Sequence, residues 1–159
     1  FRTAVCHKDG PFKTNTDAIA ALERRERDLK LDTDKPFVDF RRRIEDLRDA
    51  TVDLVERETA AGKTFYLYGA STKGNTLLQY YGLDHRHIVA AAERNPEKWG
   101  RCTPLTRIPI VSEEDVRKAK PDYMLVLPWH FRREFVERET AYREAGGKMV
   151  FPLPQLEVV

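Results

Sequence analysis

Apolar and polar positions change rhythm near residue 64. Before it they recur every three or four residues; after it, short unbroken apolar runs alternate with amphipathic stretches. In the first part, Ile19, Leu22 and Leu29 share one side of a helix that Asn15 or Thr16 would cap and Asp17 would open. The polar break 32–36, ending in Pro36, separates it from a longer helix over 37–60. There Phe37, Phe40, Ile44, Leu47, Thr51, Leu54 and Glu58 form a mostly apolar stripe. Two roles suit that stripe: packing on the chain's own sheet, or an interface to a preceding domain or second subunit. Ahead of both helices, residues 1–6 read as extended, like a strand already under way, and Asp9-Gly10-Pro11 as a turn. Such a start, without methionine, reads as a piece of a longer protein.

The second part opens with the aromatic and aliphatic run 65–69, a strand covered on both faces. A helix over 74–82 follows, ended by Gly82, and then a strand over 87–92. An irregular segment leads to Val111. Ser112 caps a helix over 113–119 with Glu114 and Asp115 in its first turn. A strand over 122–127, a helix over 132–145 stopped by Gly146-Gly147, a strand over 148–151 and a short proline-bearing tail complete the chain. Strands alternating with helices imply parallel pairing through right-handed crossovers. The expected class is therefore α/β: a three-layer αβα, Rossmann-like, mostly parallel sheet over 65–159, preceded by an extended segment and N-terminal helices over 1–64.

Composition narrows the role. With 159 residues, 41% hydrophobic and 34% charged, the chain has the makeup of a soluble globular domain able to bury a core. The net charge of +2 comes from 28 basic and 26 acidic residues, interleaved, and Arg41-Arg42-Arg43 is followed at once by Glu45, Asp46 and Asp49. That pattern gives helix-spaced ion pairs, and no nucleic-acid partner is expected. No apolar run reaches membrane-spanning length and no secretory signal is visible, so no membrane partner and a cytoplasmic location are expected. Cys6 and Cys102, with His7, His85 and His87, show no metal-ligand spacing.

In an open parallel sheet, ligands sit beyond the carboxyl ends of the strands. Three polar clusters fall there. The loop Gly69–Asn75 offers backbone N–H groups at a helix start, the hydroxyls of Ser71 and Thr72, the Asn75 amide and the mobile charge of Lys73, a set suited to a phosphate. It resembles the dinucleotide fingerprint G-x-G-x-x-G ending at Gly74, with Ser71 in place of the middle glycine, where a β-carbon crowds a pyrophosphate. Lys73 is a phosphate partner or a solvated loop lysine. Glu93 lies 19 residues beyond Gly74 and is either a ribose or sugar-hydroxyl contact or a structural acid capping the next turn. Asn95 precedes a proline and belongs first to a turn. Trp129 packs or stacks on a base. His130 is structural, hydrogen-bonds a ligand or transfers a proton, since its unperturbed pKa lies near about 6.5.

Five blocks then occur in order: YGASTKGNTLLQ over 68–79, ERNPEKWG over 93–100, IPIVSEE over 108–114, PDYMLVLPWHF over 121–131 and GGKMVFPLP over 146–154. Together they resemble the C-terminal domain of the S-adenosylmethionine-dependent sugar C-methyltransferases, such as the NDP-hexose 3-C-methyltransferases. The resemblance covers nearly the whole chain and is densest over 65–154. It implies a three-part enzyme: a zinc-binding N-terminal module, a middle domain that binds S-adenosylmethionine and carries the base, and this domain. This piece would position a nucleotide-linked keto-sugar, with Gly69–Asn75 facing the cleft and Glu93, Asn95, Trp129 and His130 as neighbours. Zinc and cofactor would both lie upstream, the preceding methyltransferase domain would be a partner, and the piece alone would be inactive. One departure stands out: 103–107 replaces a turn that in the family usually contains a glycine near Leu105 or Arg107. Two other classes remain open on the residues alone, a nicotinamide-binding oxidoreductase half-domain and a non-catalytic ligand-binding or dimerisation domain.

Overall fold

A computed structural model describes residues 3–159. Phe1 and Arg2 of the expected extended start lie outside the described residues, and Thr3 to Cys6 belong to no strand. The chain forms two compact units, 1–42 and 43–159.

In the first unit, helix α1 (Thr16–Asp28) is capped by Asn15, whose Oδ1 accepts the Ala18 N–H at 3.0 Å. Helix α2 (Lys35–Ala60) begins in this unit and continues into the next. It starts two residues before the expected 37, because Pro36 in a first turn gives up an N–H that would have no helical partner. Phe37 and Phe40 stay more than half exposed.

Within the second unit, the later part of the α2 stripe packs on the chain's own sheet. Thr51 and Val55 are fully buried, and Val52 and Leu54 lean on the same core. The buried Thr51 hydroxyl donates to the Leu47 carbonyl at 2.6 Å, so its burial leaves no polar orphan. The remaining elements are β1 (Phe65–Tyr68), α3 (Thr72–Tyr81), β2 (Ala91–Glu93), β3 (Ile110–Ser112), α4 (Glu113–Ala119), β4 (Tyr123–Val126), α5 (Arg132–Arg138), α6 (Thr140–Glu144), β5 (Lys148–Phe151) and β6 (Glu157–Val158). They build one six-stranded sheet in the order β3-β2-β1-β4-β5-β6, parallel except for β6.

Alternating strand residues feed two cores. Phe65, Leu67, Tyr123, Leu125 and Val150 join Leu78 and Tyr81 of α3 and Val55 of α2. Tyr68, Met124, Val126, Met149 and Phe151 join Val116 of α4, with Phe135 and Val136 of α5 beside them. The class is α/β and Rossmann-like, with α2 and α3 on one face of the sheet and α4 to α6 on the other.

Four elements differ from the sequence expectation. The segment expected to be irregular up to Val111 ends in an edge strand, β3, paired parallel with β2. The strand placed over 87–92 is confined to 91–93, because the N–H groups of His87 and Ile88 close a turn on the Asp84 carbonyl at 3.0 Å. The helix over 132–145 is two helices broken at Glu139. The tail carries an antiparallel edge strand, β6, which Arg132 pins through its bonds to Glu157.

Candidate active-site cleft

Strand order reverses between β1 and β4, so the loops after these two strands border the crevice where such sheets take ligands. The chain leaves β1 at Gly69 with φ +90°, a left-handed conformation that side chains resist. A β-carbon there would sit 3.4 Å from Pro128 Cγ, in the loop after β4. Ser71 then caps α3, its Oγ accepting the Gly74 N–H at 3.1 Å. The Asn75 N–H bonds the Ser71 carbonyl at 2.9 Å, leaving those of Thr72 and Lys73 directed out of the helix start. Gly74 is buried against β4: an added β-carbon would meet Leu127 Cβ and Cδ1 at 3.2 Å. It allows the close helix–strand approach that the third glycine of a dinucleotide fingerprint provides.

Glu93, at the end of β2, is the hub that shapes this loop. Its Oε2 accepts the Ala70 N–H at 3.3 Å and Lys98 Nζ at 3.0 Å; its Oε1 accepts the N–H groups of Arg94 and Asn95, both at 3.0 Å. Lys98 also donates to the Ala70 carbonyl at 3.1 Å. Burial pushes this carboxyl up, but the Asn95 N–H, Lys98 and the Ala70 N–H together hold it below the usual glutamate value. Four donors fill the roughly four acceptor positions a carboxylate has. The arrangement welds the loops after β1 and β2 together.

The other expected residues distribute around this weld. Lys73 and Thr72 are exposed at the α3 start, and Lys73 has no ion-pair partner among the described residues. Asn75 is turned the other way, its Oδ1 accepting the Thr106 hydroxyl at 3.2 Å. Asn95 caps the short turn 96–98 by accepting the Glu97 N–H at 3.0 Å. Trp129 packs partly against the second core, edge-on to His130, whose exposed ring lies 4.3 Å from that of Phe131. Gly69, Ala70 and Glu93 therefore meet, Ser71 to Lys73 stand beside them, and Asn75 and Asn95 serve neighbouring turns.

Sequence reading missed the concave part. A cleft of about 280 Å³ opens beyond β1 and β2 and is walled by α5, with Tyr68, Gly69, Glu93, Arg94, Phe131 and Arg138 among its lining. Behind it lies a closed polar network. The Tyr68 hydroxyl donates to Glu139 Oε1 at 2.5 Å, and Arg117 Nε donates to Glu139 Oε2 at 3.1 Å. Arg138 donates to the Tyr68 oxygen and to Glu113, while Arg117 also holds Glu113 at 3.0 Å. Burial and the Glu139 bond push the Tyr68 hydroxyl well above its ordinary pKa. For Glu139, 2% exposed, burial acts upward, but Arg117 and Tyr68 outweigh it and keep the carboxyl ionised. The sequence signal for this network is the acid-and-arginine pattern of 132–139, interrupted by Phe135 and Val136, which reads equally as a solvated face.

Among the described residues no group of three or more His, Cys, Asp and Glu side chains is placed to hold a metal ion, and no helix is long and apolar enough to cross a membrane. The chain is 34% identical over 142 residues to the C-methyltransferase NovU of Streptomyces niveus. That match covers 89% of this chain and 34% of the relative, so the chain spans about a third of the relative's length. The C-methyltransferase C-terminal domain family matches residues 1–154. With that match running through the loops after β1, β2 and β4, the chain belongs to the C-methyltransferase C-terminal domain family.

Proposed function

We propose that this domain is the substrate side of an S-adenosylmethionine-dependent C-methyltransferase and positions a nucleotide-linked keto-sugar. The observation that carries the reading is the family membership of a chain whose sheet-end loops are left open toward solvent at the strand reversal. Ser71 through Lys73 would receive the phosphates, with the free N–H groups of the α3 start and the Lys73 ammonium as donors. His130 and Trp129, on the loop after β4, would border the sugar.

The methyl donor does not suit this chain. Glu93 is the acid that would take its ribose hydroxyls, and both Glu93 oxygens are already filled by four internal donors. The same saturation disfavours a nicotinamide dinucleotide at this loop. S-adenosylmethionine and the base that removes the proton beside the ketone are assigned to a preceding methyltransferase domain. Zinc is assigned to an N-terminal module. This chain's contribution is orientation, and well-held reactants can lower a barrier by roughly 7–11 kcal/mol.

Calorimetric titration of the chain with dTDP, NAD and S-adenosylmethionine in parallel tests the reading. Binding of dTDP with silence from the other two is expected. Tight NAD binding would replace the reading with an oxidoreductase one.

A further inference from the structure

We propose that the N-terminal unit, through the apolar side of α1 and the opening turn of α2, is the surface on which the preceding methyltransferase domain docks, an inference that rests on the reading above and deepens it. The unit covers 1–42 and forms no core of its own among the described residues. No described residue before Thr51 is buried, and neither apolar cluster takes a side chain from this unit. Fifteen large apolar side chains stay exposed among the described residues, and nine of them fall here, in about a quarter of the chain. Single exposed apolar residues are ordinary on a protein surface; this density is not.

On α1, Ile19, Leu22 and Leu29 share one side and are 48%, 54% and 53% exposed. A helix of 13 residues is marginal in water by itself, and most helical stability comes from burying an apolar side. Here that side is present and largely bare. Phe37 and Val38, in the opening turn of α2, are 58% and 61% exposed, although the same helix buries Thr51 and Val55 further along.

Sequence adjacency decides what covers these side chains. The matched family is by its description a C-terminal domain, and its match takes in the whole of this unit. About two thirds of the NovU chain lies outside the matched segment. A domain that precedes this one therefore joins it through the N-terminal unit. A partner tethered in this way meets its dock at an effective concentration on the order of mM, which a second copy reaches only in concentrated solution.

The test is hydrogen exchange on this chain and on the protein extended upstream through its methyltransferase domain, with sedimentation over a range of concentrations and titration with S-adenosylmethionine. Leu22→Glu and Phe37→Glu are combined as the variant. In the extended protein, amides of 19–29 and 37–40 are expected to exchange roughly tenfold or more slowly than in this chain, and the double variant to remove the difference. Both side chains are more than half exposed, so the variant should leave the thermal unfolding of this chain unchanged, which a packing role inside it would not. Equal exchange in the two proteins, or a double variant as protected as the wild type, overturns the dock; binding of S-adenosylmethionine by the extended protein then leaves the substrate-domain reading standing. Slow exchange in this chain alone that grows with concentration alongside a dimer mass gives the surface to a second copy and overturns the dock too. Slowed exchange in the extended protein without S-adenosylmethionine binding keeps the dock and removes the methyltransferase reading.

Discussion

Leu105 and Arg107 hold φ of +63° and +56°, in the turn closed by the Arg107 N–H on the Thr103 carbonyl at 2.9 Å. A side chain in this left-handed region costs roughly 1–2 kcal/mol, and glycine returns roughly 0.5–1 kcal/mol of that as extra freedom in the unfolded chain. Leu105 is 81% exposed, so its side chain contributes little packing in exchange. Leu105→Gly should raise the denaturation midpoint with an unchanged slope, by up to about 1 kcal/mol. The family resemblance marked this turn as one where a glycine is usual; the backbone shows why. Lys73 makes a different prediction. Its replacement by alanine should weaken dTDP binding by about 1.5–3 kcal/mol, the range for a charged hydrogen bond, while leaving thermal stability alone because the side chain is exposed. Unchanged affinity in calorimetry would remove Lys73 from the phosphate site. Glu93→Gln should do the reverse and act on the fold first. The amide turns an N–H toward donors it cannot accept, so a loss of about 1–3 kcal/mol and faster hydrogen exchange at the Ala70 N–H are expected.

Elements that carry their own end signals were legible. Ser112 was read as the cap of a helix over 113–119; its Oγ accepts the Asp115 N–H at 3.0 Å and α4 has those bounds. Gly82 ends α3 in the left-handed conformation expected of it. What failed were elements decided from a distance. No local signal breaks the run 132–145, whose pattern is helical throughout. It breaks because Glu139 is drawn inward to Tyr68 and Arg117, residues 71 and 22 positions away. Glu139→Ala would take the acceptor from the buried Tyr68 hydroxyl and leave Arg117 and Arg138 with Glu113 as their acidic partner. The expected loss is about 1–3 kcal/mol, visible as a fall in the urea midpoint. The edge strand β6 was hidden for a related reason, since it forms by pairing with β5 and is tied to Arg132, 25 positions earlier. The candidate site was half legible. Gly69, Ser71 and Glu93 lie where topology puts them, but the cleft wall is made by side chains whose meeting no spacing announces. Gly74→Ala tests the helix–strand contact directly. Its β-carbon would press on Leu127 at 3.2 Å, so a loss of about 1–3 kcal/mol is expected, together with shifted amide resonances over 70–75.

Across the whole molecule, the ionised carboxylates set the response to acid. Asp122 accepts the Thr64 N–H and the Lys63 ammonium, both at 2.9 Å, and these hold its pKa down at about 2. Glu93 and Glu139 are lowered as well. A carboxyl lowered in the folded state stabilises fully above its unfolded pKa, about 4, and loses that contribution as pH falls through the folded value. Stability should therefore be level near neutrality and decline from about pH 4 toward pH 2. Asp122→Asn should flatten that decline in urea unfolding followed against pH; an unaltered slope would remove Asp122 from the account. The same Asp122 tie stands at the base of the sheet's central pair, where Phe65 of β1 faces Tyr123 of β4. Those partners are 58 residues apart, so during synthesis β1 leaves the ribosome well before the strand that must lie beside it. In a nascent chain that has not reached Tyr123, the apolar and aromatic strand β1 has one bare edge, open to pairing with another polypeptide. The middle of this sheet can close only after β1, β2 and β3 have all emerged, and β5 and β6 then extend it on the far side.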